Sequence, residues 1–203
     1  MTSRSANIAD YVAIMRLDHA TKHVFVVPRI ILALLLRGSQ VHITVWSFVA
    51  GALVAVMIAS ANYVINEWLD RDSDALHPTK SARTAVQIRL DGSVVWEQWF
   101  VLVALSLAIA ASSSKTMLFV AIAFAAQGII YNVKPLRSKD YPYVDVLTES
   151  VNNPLRLMIG WAMVDSSTLP PSSVHPRLLA GRRIPDGRQA PVGIQGNRFV
   201  SRP

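Results

Sequence analysis

VWSFVAGALVAVMIASANYVINEWLDRDSDALHPTKSAR (residues 45–83) changes character a little over halfway along. Residues 45–65 carry no formal charge, and 21 residues rising about 1.5 Å each can cross the ~30 Å apolar core of a bilayer. Four carboxylates follow at once, Glu67, Asp70, Asp72 and Asp74, and then a turn with Lys80 and Arg83. A membrane helix with a polar, charged mouth is the unit from which the rest of the chain is read.

Further apolar runs extend that unit. Residues 94–111, entered by Trp96 and Trp99, and residues 116–133 predict two more spans, joined by the SSSK turn at 112–115 into an antiparallel hairpin. Residues 24–36 predict a short or tilted span, interrupted by Pro28 and Arg29. Residues 144–164 predict a weaker one, because they contain Asp145, Glu149, Asn152, Asn153, Pro154 and Arg156. Such groups are costly in lipid, so they are expected to face a polar cavity or the interface. The predicted fold class is all-α integral membrane with about five spans.

Loops 67–93 and 134–143 fall on one side of this topology and hold Arg71, Lys80, Arg83, Arg89, Lys134, Arg137 and Lys139. The opposite loops, 37–44 and 112–115, hold only Arg37 and Lys115. The positive-inside rule then places the carboxylate-rich loop in the cytoplasm. The N-terminal stretch has no apolar core of the kind a signal peptide needs. The chain of 203 residues has no cysteine, so thiolate metal sites and disulfides are excluded. Of the net charge of +7, residues 174–203 supply +5, with six Arg and no Lys. Without aromatic interleaving or a folded module this tail does not predict nucleic-acid binding.

Asn66, Asp70 and Asp74 are spaced i, i+4, i+8, which lines them along one helix face, with Glu67 beside them and Asp72 pointing elsewhere. His77–Pro78 is expected to end the helix. Clustered carboxylates suit a hard cation, and Mg²⁺ takes oxygen ligands while keeping waters and substrate phosphates. Lys80 and Arg83 then suit the remaining phosphate charge. A solvated helix end with a mixed-charge loop has the same spacing and stays open on these residues alone. A calcium loop of the EF-hand type is excluded, since Ala75 and Ser81 stand where it needs Gly and Glu.

The stretch NEWLDRDSDALHPTKSAR (residues 66–83) resembles the first Asp-rich motif of the UbiA prenyltransferase superfamily, Asn-Asp-x-x-Asp-x-x-x-Asp followed by His-Pro-x-Lys-x-x-Arg-Pro. Glu67 replaces an Asp and Thr84 a Pro of that pattern. MRLDHATKHVFVVP (residues 15–28) resembles the N-terminal segment of the branch that includes decaprenyl-phosphate phosphoribosyltransferase; Lys22 matches, whereas Leu17, Ala20 and His23 depart. YNVKPLRSKDYPYVD (residues 131–145) resembles the segment after the fourth span.

The resemblance implies the N-terminal part of a UbiA-type helical bundle over residues 1–165. It implies Mg²⁺ held by Asn66, Asp70 and Asp74, which are the catalytic candidates. Phosphate is bound or positioned by Lys22, Lys80, Arg83, Tyr131 and Lys139. The implied reaction is prenyl or phosphoribosyl transfer involving a polyprenyl (di)phosphate lipid and a phosphate-bearing co-substrate, in contact with membrane lipids. The non-enzymatic alternative is a small membrane protein whose acidic loop binds a cation or water.

The superfamily has about nine spans and a second acidic motif. Residues 166–203 have no helical or strand period and are rich in Pro, Gly and Arg, which predicts a disordered basic tail. The genetic code permits the tail to be an out-of-frame reading of an apolar segment. The expectation is that the chain leaves its frame near Ser173 and by itself turns over little or no substrate.

Overall fold

A computed structural model describes residues 5–18, 27–38 and 44–170. The helix that opens at residue 45 is started by Thr44, whose Oγ1 accepts the Ser47 N–H at 3.1 Å. Eight α-helices follow in order among the described residues: α1 (Ile8–Ala13), α2 (Val27–Arg37), α3 (Val45–Leu69), α4 (Arg71–Asp74), α5 (Thr84–Gln87), α6 (Gly92–Ser113), α7 (Lys115–Asn132) and α8 (Pro142–Val164). Short 3₁₀ turns cover Lys80–Ala82 and Ser138–Asp140.

The predicted hairpin is present. A single extended residue, Ser114, separates α6 from α7, and its Oγ accepts the Met117 N–H at 3.0 Å. Asp91 caps α6 through Ser93 N–H at 2.8 Å, and Pro142 opens α8, where a missing N–H costs nothing. The structure ends the regular helix of the motif at Asp74, ahead of His77–Pro78. The residue before a proline is driven from the helical region, so the preceding turn loosens to i→i+3 bonds, Leu76 N–H to Ser73 O at 3.2 Å and His77 N–H to Asp74 O at 3.1 Å.

α3 is the axis of the bundle. It packs on α6, α7 and α8, while α2 packs on α8. Its buried surface is made of small and branched residues, Ala50, Gly51, Val54, Ala55, Ile58, Ala59 and Ala61, which let neighbouring backbones approach closely. Close packing is what holds helices together where lipid is as apolar as the side chains. Phe100 and Phe119 point outward, 66% and 71% exposed, as lipid-facing residues do.

α3, α6 and α7 have the length and composition to cross a membrane. Of the other two expected spans, α8 is long enough at 23 residues but carries polar groups along one face. The described part of α2 has 11 residues and rises about 16 Å, shorter than the apolar core of a bilayer. Residues 171–203, which carry most of the predicted tail, and Lys22 lie outside the described residues.

Candidate functional site

The C-terminal end of α3 meets the C-terminal end of α7, the start of α8 and the loop after α4. α3 ends at Leu69 and α4 begins at Arg71, but i→i+4 bonds join the motif across Asp70: Asp70 N–H to Asn66 O at 3.0 Å and Asp74 N–H to Asp70 O at 2.8 Å. The i+4 spacing is therefore kept. The two carboxylates nevertheless end in different surroundings.

Asp70 faces a cavity of about 360 Å³, which Asn62, Asn66, Lys80, Arg83 and Tyr131 also line. Its Oδ1 takes the Lys139 ammonium at 2.6 Å and Arg137 Nη2 at 2.9 Å. Lys139 also donates to Asn66 Oδ1 at 3.1 Å and Asn132 Oδ1 at 2.9 Å. Burial lowers the Lys139 ammonium below the ordinary lysine value, against the opposing pull of Asp70. Asp74 is buried and does not line the cavity. It is held by Arg83 and, at 3.7 Å, by Lys80. It thus folds the loop back so that both cations reach the cavity wall.

Glu67 turns away. Its Oε1 accepts the Ala85 N–H at 3.4 Å and its Oε2 lies 3.8 Å from Arg16 Nε, so it anchors α5 and the N-terminal segment. Asp72 is exposed and pairs with Arg71 at 3.7 Å. The Tyr131 hydroxyl donates to Asp145 Oδ1 at 2.8 Å, and the Lys139 ammonium sits 5.8 Å from the Tyr131 ring. Of the eight site residues read from sequence, Asn66, Asp70, Lys80, Arg83 and Tyr131 line the cavity; Lys139 and Asp74 hold lining residues; Lys22 is outside the described residues.

The polar groups of α8 face the cavity as expected: Glu149, Asn152, Asn153 and Arg156 line it. Several contributors were not read from sequence. Arg137 entered only as a loop charge, and Asn62, Gln127 and Asn132 not at all. Asn62 carries a usable signal, because it stands one further i−4 step before Asn66 inside an apolar span. Its carboxamide rests against Gly128, where a Cβ would lie 1.8 Å from Asn62 Oδ1.

Among the described residues no three His, Asp or Glu side chains converge as a metal site. The donor chemistry still fits Mg²⁺ arriving with a phosphate. Asn66 and Asp70 offer hard oxygens at the wall, and Asn62 Oδ1 and Asn152 Oδ1 are buried without a hydrogen-bond partner among the described residues. A Mg²⁺–diphosphate is net anionic, which the Lys80, Arg83, Arg137 and Lys139 cations match.

The profile of the UbiA prenyltransferase family matches residues 26–181. No curated protein matches the chain. Among solved structures, a UbiA homologue from Archaeoglobus fulgidus bound to DMAPP and Mg²⁺ superposes with a TM-score of 0.69 at 21% identity, covering 84% of this chain and 59% of that one. The same homologue bound to GPP and Mg²⁺ gives 0.69 and 21%, with 84% and 58% covered. Its Cd²⁺-bound form gives 0.64 and 19%, with 84% and 57% covered. These likenesses show the fold, and the chain spans a little under three fifths of the length of the structures it matches.

Proposed function

The chain belongs to the UbiA prenyltransferase family, and from that premise we propose that its cavity binds the diphosphate of a transferase substrate with Mg²⁺ at a membrane surface. The observation that carries this reading is Asp70, clamped by Lys139 and Arg137 on the wall of a cavity that Lys80 and Arg83 also enter. The archaeal homologue was solved with prenyl diphosphates and Mg²⁺, which supports the same class of ligand here.

Asn66 and Asp70, with Asp74 behind them, are the residues that would hold Mg²⁺. When bound, the cation neutralises charge on the diphosphate and so eases its departure from carbon. Lys80, Arg83 and Lys139 bind the phosphate oxygens with charge-assisted hydrogen bonds, strengthened by apolar walls. Tyr131, fixed by Asp145, orients beside Lys139. The second substrate attacks the carbon that the diphosphate leaves.

Whether prenyl or phosphoribosyl groups are transferred turns on which diphosphate is taken. The segment at residues 15–28 favours phosphoribosyl transfer to a polyprenyl phosphate. The cavity mouth faces the cytoplasm in this proposal. Arg71, Lys80, Arg83, Arg137 and Lys139 share its side of the bundle, whereas at the opposite end Arg37 is paired with Asp165 at 2.6 Å.

Geranyl diphosphate and 5-phosphoribosyl diphosphate are the test ligands, added to the full chain in nanodiscs with and without Mg²⁺. One should bind only with Mg²⁺, and Asp70→Asn should weaken it at least about tenfold, equivalent to ~1.4 kcal/mol. Binding of neither, or binding that ignores both Mg²⁺ and Asp70, would leave the acidic loop a solvated surface. Turnover is a separate readout.

A further inference from the structure

Trp68 and Arg71 stand one helical turn apart at the end of α3, and neither lines the cavity that Asp70 faces. The Arg71 guanidinium lies over the Trp68 ring, its Cζ 4.7 Å from the centroid, and its Nη1 donates to Trp68 O at 2.9 Å. The ring in turn lies against the first residue of α6, where a Cβ on Gly92 would be 2.6 Å from Trp68 Cζ2. Arg71 is thereby held beside the linker from α5 to α6. There it shares a second pocket, of about 200 Å³, with Arg89 and the apolar Ala85, Val86, Ile88 and Leu90.

Leu69 closes α3 and Gly92 opens α6, and both helices have the length and composition to cross a membrane. The pocket therefore lies where two spans meet the lipid head groups, the depth at which tryptophan is enriched. Its wall holds two cations and no carboxylate. Asp72 pairs with Arg71 at 3.7 Å, but its side chain is 90% exposed, and an ion pair in water is weak. Asp91 accepts the Ser93 N–H through Oδ1 at 2.8 Å as the cap of α6. Arg89 is exposed, and no carboxylate pairs with it among the described residues.

The gathering of basic residues on one side of a membrane protein accounts for two arginines here. It does not account for their convergence on one pocket with an apolar floor beside a packed tryptophan. Guanidiniums over such a floor at head-group depth match a phosphodiester whose other end is lipid. The planar fork pairs with two phosphate oxygens, and the floor takes the glycerol and the first methylenes. A choline lipid brings its own cation to the phosphate, which two guanidiniums disfavour.

We propose that Arg71 and Arg89 form a seat for the phosphate of an anionic phospholipid, in the leaflet on the side of the cavity mouth. Neither arginine lines the cavity, so the seat stands whether or not the cavity binds a diphosphate. Its volume of about 200 Å³ is below the ~300 Å³ of ordinary small-molecule sites and suits one phosphate head. A lipid held there ties the start of α4 to the linker into α6, and so steadies the loop between them that carries Lys80 and Arg83.

The full chain in detergent micelles, titrated with phosphatidylglycerol or phosphatidylcholine of the same acyl chains and followed by native mass spectrometry, gives the affinity of the first bound lipid of each kind. The readout is the ratio of the two affinities, because a purely structural change moves both together. Phosphatidylglycerol should be favoured at least about fivefold in the unmodified chain. Arg71→Gln combined with Arg89→Gln should bring the ratio to near one, and the paired Lys substitutions should retain part of it. If the double variant does not fold, Arg89→Gln alone, at an exposed position, should at least about halve the ratio. Millimolar inorganic phosphate should leave the ratio standing, since it has no apolar part for the floor.

A ratio near one in the unmodified chain, or one that the arginine substitutions leave unmoved, would overturn the proposal. Loss of the ratio in inorganic phosphate would assign the seat to free phosphate instead of lipid. Loss of it on adding geranyl diphosphate with Mg²⁺ would place the lipid at the cavity mouth, and either result refutes the seat as assigned.

Discussion

Gly128→Ala should change the sign of its effect on stability with the residue at position 62. In the present sequence the added Cβ would lie 1.8 Å from Asn62 Oδ1, 2.3 Å from its Cγ and 2.6 Å from its Nδ2. The whole carboxamide must therefore move, and overpacking of this kind costs about 1–3 kcal/mol. Alanine in a helix interior offsets about 1 kcal/mol of that relative to glycine. The net expectation is a loss of about 0–2 kcal/mol, or up to ~8 °C in melting temperature for a domain of this size.

With Asn62→Ala in place the obstruction is gone and the helix term remains. There Gly128→Ala should stabilise by about 1 kcal/mol. Thermal unfolding of the four proteins in one detergent, followed by far-UV circular dichroism, reads the cycle. Equal effects of Gly128→Ala in both backgrounds would refute the claimed contact. Because Asn62 lines the cavity, Gly128→Ala in the present sequence should also weaken Mg²⁺-dependent diphosphate binding.

Asp74→Ala leaves the half-buried Arg83 charge without its buried carboxylate and should destabilise by about 1.5–3 kcal/mol, measured by the same unfolding assay. Lys139→Met removes the cation shared by Asp70, Asn66 and Asn132 and should weaken diphosphate binding about tenfold in a titration by calorimetry. At the far end of the bundle, burial alone would raise the Asp165 carboxyl. Hydrogen bonds from Ser167 and Thr168 and the Arg37 charge outweigh it and hold the carboxyl below its ordinary value. A carboxyl lowered on folding stabilises above its unfolded pKa of about 3.9, and that contribution fades as pH falls through the folded value. Melting temperature should therefore drop more steeply below about pH 4 in the unmodified chain than in Asp165→Asn.

Run length alone made α3, α6 and α7 legible, because crossing a bilayer leaves a long uncharged stretch that nothing else requires. The joint at Ser114 was legible for the complementary reason: a run of serines ending in a lysine interrupts such a stretch. α8 was harder, since its helix is amphipathic around a cavity and dilutes the apolar signal with Glu149, Asn152, Asn153 and Arg156. Those residues were assigned correctly to a polar surface by what burying them in lipid would cost. The Asp70 clamp was not legible. Arg137 and Lys139 lie some seventy residues away in sequence, and no local period links a loop after α7 to the end of α3. Only the packing of α7 and α8 on α3 brings them together.

The motif also shows why spacing cannot assign a role by itself. Asn66, Asp70 and Asp74 have the regular step expected of ligands on one face, and their backbone bonds keep it. Yet the face they share crosses from the cavity wall into the packed loop between α4 and α5. Asp70, on the cavity side, meets cations delivered by the loop between α7 and α8. Asp74, one turn on, is enclosed by Lys80 and Arg83 of its own loop. The later carboxylate therefore sets where the loop's cations stand, and the earlier one works in the field they make. A substitution at Asp74 should be felt at the cavity through Lys80 and Arg83, whereas one at Asp70 acts there directly. The same residue type at the same interval performs both tasks because the helix ends between them, at the point where the protein passes from membrane to water.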